Sequence, residues 1–149
     1  MNIRRATPKD FNKLYEMGQN TAEFKVSATE PFMDKDDFKW RLNSKKSIFL
    51  IAEDDKKIAG FIHFHLKDKD KKIQNRYACL TYIVVDQQYR RKGIATKLYA
   101  KAMMELKKTD ITNIYCWASA ESDNSIIKFM EKQGFNKGHK YYWMDKKIR

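Results

Sequence analysis

Residues 83–96 read IVVDQQYRRKGIAT. An apolar run ends at Val85, a short polar stretch carries Arg90, Arg91 and Lys92, and Gly93 opens a helix. The helix is legible in its period: Ile94, Leu98, Ala102 and Leu106 recur every four residues over 93–107, with lysines between them. Amide N–H groups in the first turn of a helix have no acceptor one turn back, so they point outward as donors. The helix dipole adds partial positive charge at that end. A glycine lets an anion approach the main chain with no Cβ in the way. With three cations alongside, the junction is suited to holding phosphate. The competing reading is a basic turn whose glycine only caps the helix. No G-x-x-x-x-G-K-[ST] and no G-x-G-x-x-G occurs, which sets aside an ATP-type loop and weakens a dinucleotide site.

Working outward, YACLTYIVV (77–85) is β-branched and aromatic and bounded by polar segments, as a buried central strand is. NIYCWA (113–118) follows the helix as a second strand; strand, helix and strand make a βαβ unit, so the two strands run parallel. Upstream, SIFLIA (47–52) and IAGFIHFHL (58–66) flank the charged turn EDDKK and read as a β-hairpin, and KDKDKK (67–72) is a solvated loop. Residues 2–5 form a first short strand. Thr7, Pro8 and Asp10 then start a helix that uses Phe11, Leu14 and Tyr15 and ends near Gly18. A second helix is predicted from about Asp34 to Leu42, with Phe38 inward. A helix over 124–133 turns Ile127, Met130 and Ile126 inward and stops at Gly134, and KYYWMDK (140–146) reads as a last strand. The order β-α-α-β-β-β-α-β-α-β predicts one α/β domain over 1–149, a mixed sheet with helices on both faces.

Composition narrows the class. The 149 residues are 42% hydrophobic and 34% charged, enough apolar material for a core and too much for a disordered tail. The net charge of +12 favours anionic partners without choosing among them. Cys79 and Cys116 make no disulfide framework, so a reducing, cytoplasmic setting is expected. No apolar run reaches the ~18 residues of a membrane helix, and the chain start lacks a signal-peptide pattern, so no membrane partner is expected.

Arg90-Arg91-Lys92-Gly93-Ile94-Ala95 resembles the [QR]-x-x-G-x-[GA] signature of the GNAT-type N-acetyltransferases, and it follows a strand ending in Val85-Asp86 as in that superfamily. Asn124 followed by Phe129-Met130-Glu131-Lys132-Gln133-Gly134-Phe135 is similar to that superfamily's second conserved segment. The likeness is strong over about residues 77–136 and elsewhere lies only in element order. It implies acetyl-CoA as co-substrate, its pyrophosphate on the amides of Arg91, Lys92, Gly93, Ile94, Ala95 and Thr96. It also implies that free main-chain groups near Ile83, Val84 and Val85 hold the pantetheine arm and the thioester carbonyl, with Asn124 beside the cofactor. The reaction implied is direct attack of a primary amine on the thioester.

One position departs from the pattern. Many relatives carry a proton-donating tyrosine where this chain has Met130, which has no proton to give. Tyr142 or Tyr141 replaces it, or solvent protonates the thiolate, or the protein binds acetyl-CoA and turns over poorly. The general base is open among Glu23, Glu30 and Glu53. Glu23, Glu30, Asp34, Asp36 and Asp37 outweigh Lys25 and Lys35 within 23–37, an acidic lip that suits a cationic acceptor such as a polyamine, an aminoglycoside or a peptide amine, unless it is a solvated helix pair.

Other signals are read as structural. His63 and His65 share one strand face but lack a third ligand, so no metal is expected. Both cysteines are packing residues by default. Nucleic acid is disfavoured as a partner, because the lysines are spread along the chain and no recognition motif is visible. An acyl-CoA sensor stays open as an alternative, and a homodimer is compatible with the sequence.

Overall fold

The expected hairpin is the centre of the sheet. β2 (Ser47–Asp54) and β3 (Lys57–Leu66) pair antiparallel, from Ser47 opposite His65 to Asp54 opposite Lys57. Asp55 and Lys56 between them are left-handed, with φ of 45° and 63°, the twist a two-residue hairpin turn needs. β1 (Asn2–Arg5) adds antiparallel to β2, β4 (Tyr77–Val85) antiparallel to β3, and β5 (Asn113–Cys116) parallel to β4. The order is β1-β2-β3-β4-β5. The computed structural model describes every residue except 26, 28–31, 70, 71, 73 and 122.

Alternation along the strands sends apolar side chains to both faces. Ile48, Leu50, Ile62, Phe64 and Leu80 pack on one face with Ile94, Leu98, Ala102 and Leu106 of α3 (Ile94–Leu106) and Met130 of α4 (Ser125–Lys132). Phe49, Ile51, Phe61 and Val84 pack on the other with Leu14 and Tyr15 of α1 (Phe11–Gln19) and Phe38 and Leu42 of α2 (Lys35–Asn43). The mixed sheet with helices on both faces is therefore present. No helix among the described residues is long and apolar enough to cross a membrane.

Two expectations need correction. On α4 the residues packed against the core are Met130, Ile126 and Phe129, and Ile127 is not among them. The strand expected over 140–146 is absent: the described sheet has five strands, and Tyr141, Tyr142, Trp143 and Met144 are largely exposed. Strand propensity records fit to a paired, half-buried surface, not a backbone habit. This segment finds side-chain partners instead, with Trp143 Nε1 donating to Asp145 at 2.7 Å, Ser27 Oγ donating to Asp145 at 2.8 Å and the Tyr141 ring edge-on to Trp117.

Candidate active site

Strand β4 changes character halfway along. His63 lies opposite Tyr82 and Phe64 opposite Leu80, so Thr81 is an extra residue, a bulge that re-aims the strand. β5 accompanies β4 only over Tyr77–Leu80. Beyond the bulge β4 keeps β3 on one side and, among the described residues, has no strand on the other. The Asp86 amide donates to the Ala59 carbonyl at 2.9 Å, which sets the phase of the main chain. Because successive amides alternate, Tyr82 and Val84 address β3, and Ile83 and Val85 point their amides into the gap. Arg90 Nε donates to the Val85 carbonyl at 3.2 Å, tying the basic loop to the end of the strand.

The loop then turns sharply into α3. Arg91 and Gly93 are left-handed, with φ of 62° and 71°. Glycine takes that conformation freely, and a residue with a Cβ does so at a cost of about 1 kcal/mol. The Gly93 carbonyl receives the first helical bond, from Lys97 at 3.0 Å. Among the described residues, no amide from Arg91 to Thr96 donates to a protein oxygen. The first turn of α3 carries no acid. The start of α4 differs: Asp123 accepts from the Ser125 amide at 3.0 Å, a bond that also holds its carboxyl below the usual range. One helix start already has an anion, and the other presents free donors and cations.

A cleft of about 490 Å³ joins these features where β4 and β5 part. Ile83, Val84, Val85, Arg90, Arg91, Ala95 and Met130 all line it. Gly93 and Thr96 are chain neighbours of the lining residues but lie outside the lining, and Ile94 is only 1% exposed and packs in the core. Lys92 places Nζ over the Tyr89 ring at 5.3 Å. Asn124 is exposed and outside the lining, although its neighbours Asp123 and Ser125 belong to it; its own φ of 57° makes it the left-handed start of α4. Tyr142 is 83% exposed on the tail and is not part of the lining.

The acids sort clearly. Glu53 binds the Arg4 guanidinium at 2.7 Å on the far side of the sheet. Glu30 lies outside the described residues. Glu23 lines the cleft. The acidic lip is largely spent on α2 itself. Asp34 caps the helix by accepting the Asp36 and Asp37 amides at 2.9 and 3.2 Å, and Asp37 pairs with Arg41 at 3.6 Å. None of these three aspartates lines the cleft.

The structure also adds Tyr82 and Phe24, which chain reading did not single out, and brings to them Cys116, read as a packing residue, Phe129 of the second matched segment and Trp117, read as core or pocket wall. All five line the same cleft. Cys116 is half-buried, and burial pushes its thiol above the usual range, away from the reactive thiolate. Trp117 is 77% exposed, an uncommon state for tryptophan; the strand predicted over 113–118 included it, but β5 ends at Cys116.

The acetyltransferase (GNAT) family model matches residues 12–135. No curated protein matches the chain. Solved structures share the fold. A tetramutant of the BH1408 protein from Bacillus halodurans superposes with a TM-score of 0.80 at 18% identity, covering 97% of this chain and 99% of that one. An aminoglycoside acetyltransferase, meta-AAC0020 from an uncultured soil metagenomic sample, in complex with sisomicin, gives 0.74 at 15% identity, covering 98% and 96%. The aminoglycoside 6'-N-acetyltransferase AAC(6')-IG from Acinetobacter haemolyticus gives 0.72 at 21% identity, covering 100% of both chains. The bulged, splayed strand, the free helix start and the matched segment agree, and the chain belongs to the acetyltransferase (GNAT) family as an N-acetyltransferase.

Proposed function

We propose that the protein moves acetyl from acetyl-CoA to a primary amine by direct attack. The observation that carries this reading is the run of amides from Arg91 to Thr96, without a protein acceptor among the described residues, at the edge of a cleft that Ile83, Val85, Arg91 and Ala95 line. Acetyl-CoA supplies a diphosphate to be gripped and a thioester to be attacked. The amides at the start of α3, with Arg90 and Arg91, hold the diphosphate. The Ile83 and Val85 amides lie along the arm, and one of them donates to the thioester oxygen as charge grows there. An acyl-cysteine route through Cys116 is disfavoured, because burial keeps that thiol protonated. Met130 brings no proton to the departing thiolate, and solvent provides it.

The test is calorimetry on wild type and Gly93→Asp. A Cβ at Gly93 meets no atom within 4 Å, so the substitution adds a carboxylate and left-handed strain without a clash. Wild type binds acetyl-CoA and Gly93→Asp does not; retained affinity in the variant refutes the placement of the diphosphate. An amine and peptide panel read by free-thiol release identifies the acceptor, and tight acetyl-CoA binding with no release across the panel favours a sensor.

A further inference from the structure

The cleft passes through the sheet. The helix start that faces the diphosphate belongs to the α3 face, whereas Phe24, Tyr82 and Val84 belong to the α1–α2 face, and all border one opening. On that second face a short 3-10 turn, Ala22–Phe24, lies against β4 through its aromatic ring: the Phe24 and Tyr82 centroids are 4.6 Å apart, and Phe32 stands 5.2 Å from Tyr82. Glu23 sits on this turn, is exposed and lines the cleft. Among the described residues its carboxylate has no hydrogen-bond or ion-pair partner. The Tyr82 hydroxyl likewise has no protein partner there.

We infer that Glu23, with the Phe24 and Tyr82 ring faces, forms a specificity subsite for a second positive charge on the acceptor, so that the protein prefers amines carrying an additional cationic group over simple monoamines. This rests on the acetyl-transfer reading above. The chemistry is that of an ammonium: a carboxylate supplies charge, and aromatic faces attract cations through their quadrupoles. Burial pushes the Tyr82 phenol up to about 12, so it stays neutral and serves as a hydrogen-bonding wall. Arg90 and Arg91 lie with the α3 start, so the cleft is basic toward the cofactor and acidic toward the acceptor, and the two reactants are drawn to opposite sides of the sheet. Glu23 is thus the described member of the acidic lip over 23–37 that lines the cleft, whereas Asp34 and Asp37 serve α2.

The experiment compares 1,4-diaminobutane with butylamine in the thiol-release assay, using wild type and Glu23→Gln. Glu23 is exposed, so the variant keeps the wild-type melting temperature. The expected result is a KM for the diamine raised about fivefold in Glu23→Gln, the size of one partly exposed ion pair, with the butylamine KM and both kcat values unchanged. An equal rise in KM for both amines overturns the subsite, as does a fall in kcat at constant KM, which is the mark of a general base. If neither amine is acetylated, the diamine is titrated into CoA-loaded wild type and Glu23→Gln; binding weakened by the substitution supports the subsite, and equal or absent binding overturns it. Failure of acetyl-CoA itself to bind wild type is a separate result, against the transfer reading.

Discussion

Gly60→Ala is the most informative single change in the sheet. Gly60 lies on β3 opposite Val85, and a Cβ built there stands 2.7 Å from the Val84 carbonyl oxygen and 3.3 Å from Val85 Cα. Ordinary carbon–oxygen contacts begin near 3.3 Å, so β4 must recede by about 0.6 Å at Val84. The opposing atoms are main chain, so no side-chain rotamer relieves them. Overpacking of this kind costs about 1–3 kcal/mol of stability. The functional effect is larger in proportion, because the displaced segment carries the Ile83 and Val85 amides aimed into the cleft. A misplacement approaching 1 Å costs up to about a hundredfold in rate, so a ten- to hundredfold fall in kcat is expected. The proposed diphosphate grip lies on the loop and α3, so acetyl-CoA affinity should fall much less. The assay pairs thermal melts with thiol-release kinetics and calorimetry. Gly138→Ala, where a Cβ meets nothing within 4 Å, is the control. A Gly60→Ala protein that is destabilised but keeps its kcat would refute a role for those amides in the reaction. One that is neither destabilised nor slowed would refute the contact argument itself.

His63 is fully buried, its Nε2 lies 3.0 Å from Ser47 Oγ, and burial, with Arg41 and His65 nearby, holds its pKa well below the ordinary 6.5. The unfolded chain therefore binds a proton that the folded one refuses, so stability is complete above pH 6.5 and falls as the pH drops below it. His63→Gln should flatten that dependence of the melting temperature, and an unchanged slope would assign it to other groups. Met130 is 3% exposed and lines the cleft. Met130→Tyr should leave kcat within about twofold, since a thiol of pKa near 8.5 is readily protonated by solvent; a tenfold rise would show that proton delivery limits turnover.

Much of the fold was legible because its elements are set by local pattern. The strand at 77–85 coincides with β4, the four-residue stripe from Ile94 to Leu106 matches α3, and the charged turn between two apolar runs is the β2–β3 hairpin. The basic loop and Gly93 were equally plain, because the first-turn amides of a helix lack an intrahelical acceptor and the residues 90–94 carry no acid to take them. The tail was misread for the converse reason. KYYWMDK has strand formers, but a strand exists only against a partner backbone, and among the described residues this segment pairs with none.

The residues of the chain thus determine by themselves the basic loop and glycine that open α3 and the two apolar faces of the sheet. Tertiary structure alone decided how they are used. The bulge at Thr81, which turns the Ile83 and Val85 amides into a gap, depends on the register between β3 and β4. Glu23 was singled out from Glu53 by long-range pairing, since Arg4 neutralises Glu53 across the β1–β2 ladder while Glu23 rides on a turn against Tyr82. Local sequence sets backbone geometry and amphipathic period, whereas charge partners and strand register join residues tens of positions apart, and only the folded chain brings them together.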